Sequence, residues 1–302
     1  MNLVFNQPIN IIFPNAVSLT IKREDLIHPF VSGNKFRKLK YNLLEANAQN
    51  QKTLLTFGGA FSNHIAAVAY AGKEQGFKTI GIIRGDELEG KIEENPTLKF
   101  AQENGMQFEF VSREEYRLKS DASFIEKLKT KFGNFYLVPE GGTNELAVKG
   151  CEEILTADDA VFNYVCCAVG TGGTICGLIN SAAENQKILG FPALKGDFLQ
   201  DEIRIFAKKD NWNLISDYHF GGYGKINLEL IEFINAFFDK NKVPLDPIYT
   251  GKMVFGVIDL IHKNYFPANS KILLIHTGGL QGIDGMNIKL KQKKLPILKT
   301  NA

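Results

Sequence analysis

Three stretches of this chain carry residue types that could do chemistry. In the first, Ser32-Gly33-Asn34-Lys35-Phe36-Arg37-Lys38-Leu39, a lysine sits where a loop becomes a helix. Phe36, Leu39, Leu43 and Leu44 recur at helical spacing, and Asn34 or Ser32 can cap the start, so Lys35 falls in the first turn. The positive end of a helix and partial burial both lower an amine pKa, and attack on an aldehyde requires a neutral amine. Taken alone the stretch reads better as a solvated helix start. The second stretch is Val169-Gly170-Thr171-Gly172-Gly173-Thr174, a glycine-rich turn between an apolar strand and a helix. Its backbone N–H groups, threonine hydroxyls and helix start suit a phosphate.

In the third stretch, Ser62-Asn63-His64, a strand gives way to a helix. The asparagine can donate to an oxygen on a planar ring and the serine can help hold a carboxylate, although plain capping explains both residues. Two similar boundaries follow near the C-terminus, at Asp246-Pro247-Ile248-Tyr249-Thr250-Gly251-Lys252 and at His276-Thr277-Gly278-Gly279. Four such boundaries, rich in Gly, Thr, Ser and Asn, favour one shared ligand cleft over four independent caps. The strand after the Gly170 turn ends without the carboxylate that would hold a ribose, which favours a phosphorylated cofactor over a dinucleotide.

The elements that must position these turns alternate. Strands are expected at 17–21, 53–57, 79–84, 107–111, 135–139, 163–168 and 271–276, with helices between most of them. Such an order predicts an α/β fold with mostly parallel sheets and ligands at the carboxyl ends of the strands. The chain has 302 residues, 44% hydrophobic and 23% charged, with a net charge of +2, which is ordinary for a globular protein and long enough for two domains. We expect a smaller α/β domain at 38–149 and a larger one formed by 1–37 and 150–302. No basic block interleaved with aromatics appears, so a nucleic-acid partner is not expected. No leader-like start or long apolar run appears either, so the expectation is a cytoplasmic protein without a membrane partner. Cys151, Cys166, Cys167 and Cys176 lack redox or metal spacing, and the histidines lack it too, so no metal is assigned.

The ordered set Lys22 to Leu26, Ser32 to Leu39, Gly58 to His64, Gly170 to Thr174, Tyr249 to Lys252 and His276 to Gly279 resembles the 1-aminocyclopropane-1-carboxylate deaminase and D-cysteine desulfhydrase family. The resemblance runs from about Ile21 to Gly279. It implies the tryptophan synthase β-like fold (fold type II), with pyridoxal 5′-phosphate held between two α/β domains, and it implies a homodimer. Lys35 would be the lysine that bonds the cofactor aldehyde. Lys38, Gly170, Thr171, Gly172, Gly173 and Thr174 would hold its phosphate, Asn63 its ring hydroxyl, and Tyr249, Thr250 and Thr277 would complete the cofactor site. Ser62, Asn63 and His64 would meet a small amino-acid substrate, with Ser62 also moving protons. Tyr223 and Tyr249 would line the active site.

Deaminases of this family typically carry Glu where this chain has Thr250 and Leu where it has Thr277, and the threonine pair is the desulfhydrase-like pattern. That favours a lyase acting by β-elimination, with D-cysteine giving pyruvate, ammonia and sulfide. The alternative is the deaminase reaction giving 2-oxobutanoate and ammonia. Outside lyase chemistry stand a non-catalytic protein that binds the cofactor and a dinucleotide-dependent oxidoreductase. Phe61, Ala66-Ala67, Lys225 to Asn227 and Leu280 to Ile283 depart from the relatives' usual residues, and all are expected near the substrate pocket. His28, His219 and His262 read as surface or hydrogen-bonded residues, and His64 and His276 as structural partners near the cleft.

Overall fold

The computed structural model describes residues 4–196 and 198–300. Its N-terminal segment contributes β1 (Asn6–Pro8) and β2 (Ser18–Lys22), then α1 (Asn34–Ala48). The next stretch alternates β3 (Thr53–Gly58), α2 (Asn63–Gln75), β4 (Lys78–Arg84), α3 (Pro96–Glu103), β5 (Met106–Val111), α4 (Arg113–Arg117), α5 (Ala122–Phe132) and β6 (Tyr136–Val138). After α6 (Glu145–Cys151) come β7 (Tyr164–Val169), α7 (Gly173–Ser181), β8 (Lys187–Pro192), α8 (Leu199–Arg204) and β9 (Trp212–Leu214). The chain closes with α9 (Leu228–Asn241), α10 (Thr250–His262), β10 (Lys271–Ile275) and α11 (Gly282–Gln292).

The strands form a six-stranded sheet in the order β1-β2-β10-β7-β8-β9 and a four-stranded sheet in the order β5-β4-β3-β6. Every pairing is parallel except β1 with β2. The expectation of mostly parallel sheets is borne out. Parallel strands covered on both faces need long apolar runs, and β10 (Lys-Ile-Leu-Leu-Ile) and β7 (Tyr-Val-Cys-Cys-Ala-Val) supply them. Successive side chains then enter opposite layers. Leu274 packs in one core with Ile21, Val254 and Val257, while Leu273 and Ile275 pack in the other with Val165, Leu178 and Ile179. The smaller sheet divides the same way, Leu54 and Ile83 lying with Ile65 and Leu55 and Ile82 with Phe124 and Leu128. All four cysteines are buried free thiols.

Three details differ from expectation. The sequence reading does not identify β1 or β9, because three-residue edge strands are too short to show a period. α7 begins at Gly173, inside the glycine-rich turn, and ends at Ser181, whereas the sequence places a helix at 175–185. Neither Asn34 nor Ser32 caps α1. Gly33 occupies that place at φ 59°, and its bare backbone packs so closely on Thr277 that a Cβ would overlap the Thr277 carbonyl. The Ser32 hydroxyl instead donates to the Asp25 carbonyl at 3.1 Å, and the Asn34 amide donates to Thr174 Oγ1 at 2.8 Å.

Candidate active site

Four turns leave the carboxyl ends of β3, β6, β7 and β10, the end where parallel sheets bind ligands. The start of α1 lies among them. Buried ion pairs support it from below. Glu24 accepts two hydrogen bonds from Arg37 at 2.9 and 3.0 Å, Asp25 accepts two from Arg23, and the Gly33 N–H donates to the Glu24 carbonyl at 3.2 Å. These contacts give the Arg23-Glu24-Asp25 motif a structural purpose: it sets where α1 starts and so where Lys35 points.

Lys35 is half-buried, and its Nζ donates to the Gly141 carbonyl at 3.2 Å. Lys38, one turn on, is buried and donates to the same carbonyl at 3.0 Å. Burial and, after it, the neighbouring Lys38 ammonium hold the Lys35 pKa well below the ordinary lysine value. Burial lowers Lys38 as well. No carboxylate pairs with either lysine among the described residues. An amine whose proton is held less tightly than usual, beside a buried cation with no carboxylate partner, suits amine attack on an aldehyde bearing an anionic group.

The anion cradle is built from three turns. Lys38 Nζ also donates to Thr143 Oγ1 at 3.0 Å and Thr171 Oγ1 at 3.4 Å, and those two hydroxyls are 2.6 Å apart. Gly172 turns the chain at φ 83°, and a Cβ on Gly173 would lie 2.8 Å from Thr143 Oγ1 and 3.1 Å from Lys38 Nζ. A side chain there would fill the space into which the lysine and the α7 N–H groups point. Across the cleft, Asn63 opens α2. Its Nδ2 makes one long contact to the Gly279 carbonyl at 3.5 Å, and its buried Oδ1 has no partner. A buried amide oxygen without a partner is costly unless a ligand supplies one. Lysine, cradle and orphaned amide together fit pyridoxal 5′-phosphate.

Tyr249 lies against Gly170, where a Cβ would come within 3.2 Å of its ring. Tyr223 meets it edge-on, with ring centroids 6.1 Å apart. Burial raises both phenol pKa values, Tyr249 more than Tyr223, so both hydroxyls stay protonated and can donate. Ser62 caps α2 through a 3.4 Å contact from the Ile65 N–H, a weak bond that leaves its hydroxyl available.

Two predicted contacts take another form. The His64 imidazole, 2% exposed, turns into the small domain, where Thr56 Oγ1 lies 2.9 Å from its Nε2 and donates its own proton to the Val138 carbonyl at 2.8 Å. The proton therefore sits on Nε2. Burial, then the charges of Lys35 and Lys38, push the ring pKa well below its usual value and keep it neutral. Through Nε2 the ring is a core partner, while Nδ1 lies against Gly142 with no partner of its own. Thr250 is fully buried, and its hydroxyl donates to Asp246 Oδ1 at 2.7 Å and accepts from the Asp246 N–H at 3.0 Å. It closes the head of α10 and has no face left for a cofactor, which corrects its placement among the cofactor contacts. Thr277 stands at the cleft, with its carbonyl accepting from the Asn34 N–H at 3.2 Å. His276 is structural, as expected: Nε2–H donates to the Pro244 carbonyl at 2.6 Å and Nδ1 accepts from the Gly278 N–H at 3.2 Å. Phe61 turns toward α11. It packs on Gly285 of α11, where a Cβ would come within 2.9 Å of its ring, and Lys289 lies 4.0 Å from the ring centre.

Sequence reasoning misses Gly141, Thr143 and Asp246. The turn Glu140-Gly141-Gly142-Thr143 shows the same glycine-then-hydroxyl signature as the turn after β7, and that repetition was the available signal. Asp246 accepts from the N–H groups of Ile248, Tyr249 and Thr250 and from the Thr250 hydroxyl, so all its acceptor capacity is used within its own turn.

The family model described as pyridoxal-phosphate dependent enzyme matches residues 13–278. Among relatives, a bifunctional D-cysteine desulfhydrase/1-aminocyclopropane-1-carboxylate deaminase, mitochondrial, of Arabidopsis thaliana is 33% identical over 301 residues, covering 89% of this chain and 74% of the relative. A 1-aminocyclopropane-1-carboxylate deaminase of Rhizobium rhizogenes is 29% identical over 303 residues, covering 89% of each chain. Among solved structures, an ACC deaminase homologue superposes with a TM-score of 0.81 at 28% identity, covering 96% of this chain and 93% of its own.

Proposed function

This chain belongs to the pyridoxal-phosphate-dependent 1-aminocyclopropane-1-carboxylate deaminase and D-cysteine desulfhydrase family, and we propose that within it the protein is a lyase of the desulfhydrase kind. The substrate of this reading is D-cysteine, which with one water gives pyruvate, ammonia and hydrogen sulfide. When bound, the cofactor supplies the electron sink that makes an α-proton of an amino acid labile.

What supports the preference is the side-chain set this reading puts near the cofactor ring. Thr277 stands where a carboxylate or an apolar residue could, and the nearest candidate carboxylate of the α10 turn, Asp246, is saturated by its own helix cap. A free carboxylate facing a pyridine nitrogen strengthens the sink, and a hydroxyl does so much less. Ring opening of an unactivated cyclopropane depends on a strong sink. Loss of a good leaving group such as a thiolate does not.

The chain's own groups can carry the remaining steps. The Lys35 amine, its pKa lowered by burial and by Lys38, or the Ser62 hydroxyl takes the α-proton. Tyr223 and Tyr249 enter as O–H donors, since phenols with raised pKa values stay protonated at neutral pH, and this suits delivery of a proton to the departing sulfur. Asn63 fixes the ring's orientation through its one unpaired amide oxygen and its amide donor. With this reading go a division into domains at 38–149 and the rest, a homodimer and a cytoplasmic setting.

The test is a keto-acid assay on protein reconstituted with pyridoxal 5′-phosphate, offering D-cysteine, L-cysteine, D-serine and 1-aminocyclopropane-1-carboxylate in parallel. Pyruvate and sulfide from D-cysteine are expected. Formation of 2-oxobutanoate from the cyclopropane substrate at a comparable rate would overturn the preference. The size of the protein in solution checks the dimer.

A further inference from the structure

Lys252 is the last residue of the Tyr249-Thr250-Gly251-Lys252 stretch, and nothing in the reaction just described uses it. Its position is unfavourable in three respects. It is 2% exposed, it stands in the first turn of α10 where the helix end is itself positive, and no carboxylate bonds it among the described residues. Burial lowers its pKa to about 8, with the field of Asp246 acting in the other direction. A cation kept in such a place is held by what it touches. Lys252 Nζ donates to the carbonyls of His219 at 2.8 Å and Gly222 at 2.9 Å.

Those two carbonyls bracket a turn that immediately precedes Tyr223. The backbone there is unusual: Phe220, Gly221, Gly222 and Gly224 have φ of 52°, 89°, 110° and 67°. Left-handed conformations in such a run define no stable shape by themselves. Within the turn, the Gly222 N–H donates to the His219 carbonyl and the Lys225 N–H to the Gly222 carbonyl, both local bonds. Phe220 adds an edge-on contact with Phe255 of α10, 5.0 Å between ring centres. Just before the turn the Tyr218 hydroxyl donates to Asp259 of α10 at 2.6 Å, and the polar tie on the turn itself is the Lys252 ammonium. Because Tyr249 directly precedes α10, one helix start carries one tyrosine and grips the loop that carries the other.

We propose that Lys252 is the positioning residue that holds Tyr223 against Tyr249 by clamping the His219–Gly222 turn onto the head of α10. The inference rests on the reading that the two tyrosines serve the reaction. Loss of the clamp leaves Lys35, Lys38 and the phosphate cradle in place and displaces one phenol.

The experiment compares wild type, K252M, Y223F and the double variant, with D-cysteine as substrate, and adds limited trypsin digestion of the cofactor-free wild type and K252M. Misplacing a positioned group costs on the order of 100-fold, so K252M is expected to lose about 10- to 100-fold in kcat/KM. The double variant is expected to be no worse than the worse single variant, because Lys252 acts through Tyr223. Multiplying losses would overturn the proposal, as would full activity in K252M. Cleavage after Lys225 is expected to accelerate several-fold in K252M relative to cleavage after Lys240, and equal ratios would also overturn it. If K252M does not accumulate folded, K252Q serves in the same cycle and digestion. Should the wild type turn over none of the four amino acids, the functional reading fails, while the digestion still decides whether the clamp exists.

Discussion

The turns after β7 and after β3 begin from the same local recipe, glycine followed by small polar residues at a helix start, and they end in opposite conditions. Around the β7 turn the polar side chains already have company. Lys38 bonds Thr143 and Thr171, Asn34 bonds Thr174, and the threonine hydroxyls bond each other, all before any ligand is present. Around the β3 turn the polar atoms are unsatisfied. Asn63 Oδ1 and His64 Nδ1 are buried with no partner, and Ser62 makes one weak contact. The difference matches two tasks. A phosphate is a fixed, multiply charged group, and a preassembled cradle binds it without reorganisation. Orientation of a ring and its substrate is supplied by a few atoms whose partners arrive with the ligand.

Substitutions can separate these two regions from each other and from the lysine between them. The largest effect is expected for K35A, which removes the amine. It should abolish both turnover and the visible absorbance of lysine-bound cofactor, and retention of either would sink the assignment of that lysine. K38M should next weaken cofactor binding by about 10- to 100-fold, the equivalent of one charged hydrogen-bond set of roughly 1.5–3 kcal/mol. It should also alter pH dependence, with a sign that follows from charge. Burial and the Lys38 ammonium both lower the Lys35 pKa, and removing the latter raises it toward the ordinary value. At neutral pH the neutral fraction of Lys35 then falls, so covalent uptake of the cofactor by K38M should shift to higher pH than in wild type, measured by stopped-flow absorbance.

N63A sharpens the contrast more gently. A lost neutral hydrogen bond of about 0.5–1.5 kcal/mol should reduce cofactor affinity roughly 2- to 10-fold. Because Asn63 Oδ1 has no partner within the protein, the melting temperature of the cofactor-free protein should scarcely change; a large drop would mark Asn63 as a structural cap. The smallest effect on the cofactor is expected for T250V. With its hydroxyl engaged by Asp246, its loss should cost about 1 kcal/mol of stability and leave cofactor affinity within about 2-fold. A tenfold change in affinity would return Thr250 to the cofactor site.

What could be read in the sequence was what is local. Lys35 at a helix start, the Gly170 to Thr174 turn and the alternation of strands and helices each depend on a few adjacent residues and a period. The cap of α1 was not legible, because Gly33 is required by the approach of Thr277, far along the chain. The burial of His64 and the commitment of Thr250 likewise depend on Thr56 and Asp246, whose own partners decide which way a hydroxyl or an imidazole turns. Phe61 shows the same limit from the apolar side. Its departure from the relatives suggests the pocket, yet the notch that receives it is made by the absence of a side chain at Gly285, a fact of packing that no motif carries.

The closeness of Gly33 to Thr277 bears on when, as well as where, the reactive amine is made. β2 pairs in register with β10, Ser18 with Lys271 through Lys22 with Ile275, and the Asn34 N–H then bonds the Thr277 carbonyl. The lysine precedes in the chain, by more than 200 residues, the strand that fixes its helix. A nascent chain stopped before residue 271 is expected to take up no cofactor covalently, and the full chain to do so only after β10 docks.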